Sequence, residues 1–190
     1  AWRDGWTNVL FVGRVAPNKR FEDLLTAFAY FQRTVEPESR LLLAGSWAGC
    51  ERYRQFLAAQ VRRLALQRVE FLGPVPPALL EAAYAAADLF LCLSEHEGVG
   101  IPLLEAMARD VPVIAYAAAA VPETLDGAGL LVARKDYPVL AEWMGRLARD
   151  RGLREAVLAG QRARVARLAD RDWRGDLRAR LAPVWTPEGG

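Results

Sequence analysis

Two cationic side chains follow the first apolar run of the sequence, where they could bind an anionic group. Gly13 and Arg14 come directly after the run at residues 8–12, and Lys19 follows five residues after Arg14. Loops that follow the strands of an open α/β sheet are where such folds bind ligands, and two cations there suit a phosphate. The loop matches neither the dinucleotide-binding G-x-G-x-x-G pattern nor a P-loop. Taken alone, it also fits surface charges near a strand end.

A second candidate segment is an acidic turn that contains glycines and leads into a helical pattern. Glu97 precedes Gly98 and Gly100, and Pro102 stands where a helix can begin, because the first helical turn does not need the N–H that proline lacks. The two glycines allow backbone amides to approach a ligand at a helix N-terminus. The turn therefore suits a phosphate or a sugar hydroxyl.

Glu97 and Glu105 differ from the carboxylate pair of a glycosidase. They are eight residues apart, which corresponds to about 12 Å of helix rise, whereas the two glycosidase carboxyls lie about 5–9.5 Å apart. We therefore expect both glutamates to bind hydroxyl groups.

The elements that must position these residues alternate along the chain. Six short apolar runs with little polar alternation are typical of strands buried on both faces; they are residues 8–12, 40–44, 69–72, 89–93, 112–115 and 130–132. Helical patterns occupy residues 21–35, 51–66, 78–87, 103–109, 139–149, 153–168 and 173–181. Connections too long for hairpins predict right-handed βαβ units. We expect an α/β fold, a Rossmann-like doubly wound parallel sheet with extra C-terminal helices.

Length and composition favour one globular domain over residues 1–190, with a core at about 8–168 and a C-terminal helix and tail at 169–190. The chain is 53% hydrophobic and 25% charged, which is ordinary for a folded globule. Its longest uncharged stretch, residues 111–122, is shorter than the roughly 20 apolar residues of a spanning helix. The first residue is Ala1 with no leader pattern, and we expect a piece of a longer protein. The two cysteines, Cys50 and Cys92, lack metal-ligand spacing and favour a reducing cytoplasm.

At this point a resemblance becomes specific. From about residue 8 to residue 167 the sequence resembles the C-terminal, donor-binding domain of the group 1 family of retaining GT-B glycosyltransferases, whose fold has two such halves. The residues that carry the resemblance are Gly13, Arg14 and Lys19, and the segments at 97–108, 112–115, 122–123 and 127–132.

The resemblance implies a role for each candidate residue. Arg14, Lys19 and Glu97 are the catalytic candidates: the two cations bind the donor diphosphate and stabilise it as leaving group, and Glu97 contacts the donor sugar. The donor-binding candidates are Gly13, Gly98, Val99, Gly100, Ile101 and Glu105, of which Glu105 holds the ribose hydroxyls. No essential metal and no cofactor are implied, and front-face attack within an ion-pair-like transition state retains the anomeric configuration.

The partners implied are a nucleoside-diphosphate sugar and an N-terminal acceptor-binding domain that is missing from this chain. We therefore expect the isolated chain to bind the donor and hardly to transfer it. The sequence does not specify the nucleotide base, the donor sugar, the acceptor or the oligomeric state.

Three features depart from this interpretation or leave alternatives open. The alanine run at residues 117–120 stands where relatives often carry glycines or small polar residues, and a non-enzymatic nucleotide-sugar-binding or regulatory module is the alternative that it favours. Glu123 is predicted to cap a short helix, and the lone His96 to make a local turn contact rather than act as a base. From residue 146 to residue 180 there are 11 arginines and five acidic residues. A module that binds a membrane surface or nucleic acid through them is the alternative ranked lowest; peripheral membrane contact stays open, and we expect no nucleic acid partner.

Overall fold

The computed structural model describes residues 2–182, which form a parallel sheet covered by helices on both faces. The strands are β1 (Thr7–Val12), β2 (Ser39–Ala44), β3 (Val69–Gly73), β4 (Leu89–Cys92), β5 (Val113–Tyr116) and β6 (Leu130–Val132). The helices are α1 (Phe21–Thr34), α2 (Glu51–Arg63), α3 (Pro77–Ala86), α4 (Ile101–Ala108), α5 (Val121–Leu125), α6 (Tyr137–Arg149), α7 (Arg151–Ala169) and α8 (Trp173–Leu181). A short 3-10 helix, Pro17–Lys19, precedes α1.

The strand order is β3-β2-β1-β4-β5-β6, and every neighbouring pair is parallel. The predicted Rossmann-like doubly wound class is therefore confirmed. The order reverses between β1 and β4, and the crevice beyond the carboxyl ends of those two strands is where such sheets bind ligands. The loops that carry Lys19 and Glu97 follow these two strands.

The apolar strands and the inner helix faces form the core. β1, β2 and β4 are almost completely buried, and α1 packs Phe21, Leu24, Leu25, Phe28 and Phe31 beneath them with no exposed surface. The low polar alternation of the runs that predicted β1, β2 and β4 follows from this burial on both faces of the sheet.

Several predicted boundaries are wrong by a few residues for local reasons. α2 ends at Arg63 rather than at residue 66, because Ala65 adopts a left-handed conformation with φ 47°. α6 and α7 begin two residues earlier than predicted, since the side chains of Asp136 and Asp150 accept hydrogen bonds from the amides of Val139 and Leu153. α4 also begins two residues early, at Ile101.

The short helix near Glu123 is present, but the predicted cap is wrong. α5 begins after Ala120, which has no capping side chain, and Glu123 lies exposed within the first helical turn. The predicted C-terminal helix is α8, and the tail at 183–190 lies outside the described residues. Within residues 2–182, no helix has the length and apolarity needed to span a membrane.

The first three strands converge closely at their carboxyl ends. The amide of Gly13 donates to the carbonyl of Ala44 at 2.9 Å, and the amide of Gly45 donates to the carbonyl of Gly73 at 2.9 Å. Gly45 has φ 151°, and a Cβ added there would lie 1.9 Å from the carbonyl oxygen of Gly13. No other amino acid fits this position without moving the backbone.

We expect Gly45→Ala to lower the free energy of unfolding by about 2 kcal/mol or more, because the clash is with backbone that cannot rotate away. Gly160→Ala is the control, since Gly160 lies in α7 with open space around it. That change is expected to stabilise the chain by up to about 1 kcal/mol, the helix propensity difference. Urea denaturation measures both, and equal stability of the Gly45→Ala variant and the wild type would contradict the close approach.

Candidate functional site

Lys19 and Glu97 form an ion pair across the crevice between β1 and β4. The Nζ of Lys19 lies 2.7 Å from Oε2 of Glu97, and the two side chains are only 17% and 12% exposed. Lys19 also donates to the carbonyl oxygen of His96 at 3.1 Å. The structure thus brings together two of the three residues that the resemblance marks as catalytic.

The two loops that carry this pair are also joined through their backbones. The amide of Glu95 donates to the carbonyl of Asn18 at 3.0 Å, and the side-chain amide of Asn18 reaches the carbonyl of His96 at 3.4 Å. The side chain of His96 is exposed. His96 therefore contributes its carbonyl group to the site, which agrees with the expected local turn role.

Arg14 lies on the same loop as Lys19 but its guanidinium contacts a different element. It donates to the carbonyl of Ala48, beyond β2, at 3.0 Å, and the residue is exposed. Gly13 lies at the end of β1 with its amide bonded to Ala44, so that amide is used within the sheet. The structure therefore pairs Lys19 with Glu97 and leaves Arg14 at the rim.

The turn before α4 exposes backbone to the crevice. Gly100 is the N-cap of α4 with φ 69°, a left-handed conformation that favours glycine. Among residues 2–182, the amides of Gly98, Val99 and Gly100 donate to no other backbone group. A Cβ added at Gly98 would meet nothing within 4 Å. This turn can accept an anion or a hydroxyl oxygen close to the helix N-terminus.

The segment after β5 fixes the other side of this turn. Ala119 has φ 48°, and the amide of Ala120 donates to the carbonyl of Glu97 at 3.3 Å. The hydroxyl of Thr124 donates to the carbonyl of Val99 at 2.6 Å. Val99 and Ile101 have exposed side chains. The alanine run therefore holds the turn through a backbone hydrogen bond, and this contact needs no polar side chain.

Glu105 lies on α4 and accepts a hydrogen bond from the buried hydroxyl of Tyr84 at 2.9 Å. Burial, and then the charge and hydrogen bond of Glu105, raise the pKa of Tyr84 far above its ordinary value, so the phenol remains a donor. Arg109 lies over the ring of Tyr84 at 4.9 Å and binds the carboxylate of Glu81. Glu105 and Glu97 thus have separate partners, Tyr84 for one and Lys19 for the other.

A buried charge cluster that sequence analysis missed lies beside the Lys19–Glu97 pair. Asp23 of α1 is 5% exposed and accepts hydrogen bonds from Lys135 at 2.6 Å, from Arg20 at 3.2 Å and from the hydroxyl of Tyr137 at 3.1 Å. Burial is the largest influence on Asp23 and opposes its ionisation, but the bonds from Lys135 and Arg20 prevail and hold its pKa below the ordinary value. The one sequence signal was the rarity of lysine, since Lys19 and Lys135 are the only two.

Comparison with known proteins gives the site a family context. The model of the family described as glycosyl transferases group 1 matches residues 2–164. The chain is 31% identical over 151 residues to the O-antigen chain mannosyltransferase B of Escherichia coli, covering 79% of this chain and 39% of that protein. The chain spans about two fifths of the length of the curated relatives that it matches.

Two solved structures have the same fold. Anabaena Alr3699/HepE in complex with UDP-glucose is 27% identical with a TM-score of 0.73, over 94% of this chain and 48% of that one. The C-terminal domain of a glycosyl transferase group 1 family protein (LpcC) from Francisella tularensis is 25% identical with a TM-score of 0.72, over 87% of this chain and 89% of that one.

The bond between Tyr84 and Glu105 gives a stability prediction. We expect Tyr84→Phe to lower the free energy of unfolding by about 1–2 kcal/mol, because a buried hydroxyl-to-carboxylate bond is lost. Tyr30→Phe is the matched control, since Tyr30 is 42% exposed on α1, and we expect it to stay within about 0.5 kcal/mol of the wild type. Equal effects of the two changes in thermal denaturation would show that the bond contributes nothing.

Proposed function

Since the chain belongs to the group 1 glycosyltransferase family, we propose that it is the donor-binding domain of a retaining glycosyltransferase that transfers the sugar of a nucleoside-diphosphate sugar. The observation that carries this proposal is the Lys19–Glu97 pair at the strand-order reversal, beside the amides of Gly98, Val99 and Gly100, which donate to no backbone group in the part of the chain that the structure describes. UDP-glucose in the complex of Alr3699/HepE supports the donor class.

Lys19 has the geometry to bind the diphosphate without leaving Glu97. An ammonium group has three N–H donors, of which two are directed to Glu97 and to the carbonyl of His96. The third suits a phosphate oxygen, and its attraction grows as negative charge develops on the leaving diphosphate in the transition state. In this proposal Arg14 approaches the same group from the rim, and the amides from Gly98 to Ile101 contact the remaining phosphate and sugar oxygens.

The two glutamates bind hydroxyl groups at opposite ends of the donor. A carboxylate accepts hydrogen bonds only, so Glu97 can take a hydroxyl of the sugar and Glu105 the ribose hydroxyls. The bond from Tyr84 fixes the orientation of Glu105. Lys19 binds both Glu97 and the diphosphate in this proposal. The contact of Glu97 with the sugar is therefore coupled to stabilisation of the leaving group.

The proposal also covers the acceptor, the stereochemistry and the cellular setting of the reaction. The acceptor is held by an N-terminal domain outside this chain, and front-face attack within an ion pair retains the anomeric configuration without an enzyme nucleophile or an essential metal. The setting is the cytoplasm, where nucleotide sugars are the donors. A longer protein that contains this chain is expected to give a product with the anomeric configuration of the donor, read from its proton NMR spectrum.

A non-enzymatic nucleotide-sugar-binding module is the second candidate, and the Ala117–Ala120 run favours it because that segment offers the sugar no polar side chain. Donor binding without any transfer in the longer protein would select this candidate. Peripheral contact with a membrane surface through the arginines of α7 and α8 is compatible with either candidate.

The experiment that tests donor binding is a thermal-shift panel of UDP, GDP, ADP and their sugar conjugates. A ligand at 100 times its dissociation constant adds about 2.7 kcal/mol, or roughly 5–10 °C in a chain of this size. We expect one nucleotide class to give this shift. No shift with any of them would contradict the proposed function.

Substitutions test the residue roles in the same panel. We expect Lys19→Met and Glu105→Ala each to weaken donor binding about 10- to 100-fold, the loss of one or two charge-assisted hydrogen bonds. Gly98→Ala is expected to weaken it while leaving the melting temperature of the free chain unchanged, because its Cβ meets only open space.

Controls come from α6, where Arg146 and Glu142 form an exposed pair at 3.0 Å. Arg146→Met and Glu142→Ala are expected to leave the dissociation constant unchanged. If Lys19→Met and Glu105→Ala behave like these controls, the residue assignments are wrong even where the donor binds.

A further inference from the structure

Lys135 joins four elements around the candidate site without touching either Lys19 or Glu97. It lies on the loop between β6 and α6, and its Nζ is 2.6 Å from Oδ2 of Asp23 on α1 and 3.3 Å from Oε1 of Glu95 after β4. The same ammonium lies 4.6 Å from the ring centroid of Tyr116 at the end of β5. The side chain is 14% exposed, so most of its length is packed between these elements.

One route leads from Lys135 to the loop that carries Lys19. Asp23 is buried, so its carboxylate needs cations nearby to stay ionised. It binds Nε of Arg20, whose backbone has the left-handed φ of 52°, unfavourable for a residue with a side chain. Arg20 directly follows Lys19. The Asp23 carboxylate thereby helps to hold the backbone conformation from which Lys19 projects.

A second route leads to the turn that carries Glu97. Glu95 accepts from Lys135 and from Arg20, both at 3.3 Å, and its amide is bonded to Asn18. Each contact of this half-exposed carboxylate is weak alone, as for surface ion pairs in general. Because Asp23 and Glu95 share both cations, the two loops are fixed by one cluster.

We propose that Lys135 is a positioning residue of the donor site, whose ammonium holds Lys19 through Asp23 and Arg20, and holds Glu97 through Glu95. This inference rests on the proposed function. A compact ammonium fits between two carboxylates and an aromatic face where the planar fork of arginine does not. In a chain that uses arginine for nearly all its cations, this accounts for a lysine here.

The test must separate positioning from a contribution to folding. Lys135→Met leaves Asp23 buried without its closest cation and is expected to lower the melting temperature. The double variant Asp23→Asn with Lys135→Met removes both charges and is expected to regain most of that loss, since no buried charge is left uncompensated. In both variants Glu95 lacks its contact with Lys135, so the effect on the turn that carries Glu97 is expected in both.

Two readouts report on position. Hydrogen exchange of the ligand-free chain is expected to be about tenfold faster in both variants at the amides of Lys19 and Glu95, which are bonded to the carbonyls of Ala16 and Asn18, with core strands unchanged. The dissociation constant for the nucleotide diphosphate that shifts the wild type is expected to rise about tenfold in both. Arg149→Met is the control: Arg149 links α6 to the chain after α1 through Glu36 at 3.0 Å, and within residues 2–182 it contacts neither loop.

Recovery of donor affinity together with stability in the double variant would overturn the proposal, because Lys135 would then act only through folding. Unchanged exchange at the amides of Lys19 and Glu95 in Lys135→Met would also overturn it. If the wild type binds no nucleotide diphosphate, the proposed function fails, and hydrogen exchange still decides whether Lys135 holds the two loops.

Discussion

The reversal of strand order between β1 and β4 is the constraint on which the rest of the site depends. Helices that follow neighbouring strands cross to opposite faces of the sheet there, so the chain cannot close the crevice beyond the two carboxyl ends. Lys19 and Glu97 enter this crevice from the two strands on either side of it. Their ion pair, largely shielded from water, is a consequence of topology as much as of charge.

Charges near the crevice are balanced rather than simply positive. Lys19 faces Glu97, and a second layer pairs Asp23 and Glu95 with Lys135 and Arg20. In a partly buried site an uncompensated charge is costly, so the carboxylates that shape the loops need cations beside them. In the proposed donor site, the third N–H of Lys19 is then the attractive point for an anionic ligand, and the ion pairs fix its position before any ligand arrives.

The sequence predicts the elements well and the site in part, for different physical reasons. Runs such as residues 89–93 and 112–115 mark strands because burial on both faces demands apolar residues, and β4 and β5 lie there. Lys19 and Glu97 could be expected to lie close together, because both follow the carboxyl ends of neighbouring parallel strands. The contact of Asp23 with Lys135 joins residues 112 positions apart, and no local pattern specifies it. Likewise, the orientation of Arg14 toward Ala48 depends on how two loops pack.

The most direct test of whether Lys19 binds the diphosphate uses the fact that Lys19 and Lys135 are the only lysines in the chain. Lysine labelled at the side chain gives two NMR signals, which a Lys19→Arg variant assigns. On addition of the nucleoside diphosphate sugar that stabilises the chain, we expect a saturable shift of the Lys19 signal, with the Lys135 signal nearly unmoved. Saturable binding of that donor with the Lys19 signal unchanged would contradict the claim that Lys19 receives the diphosphate.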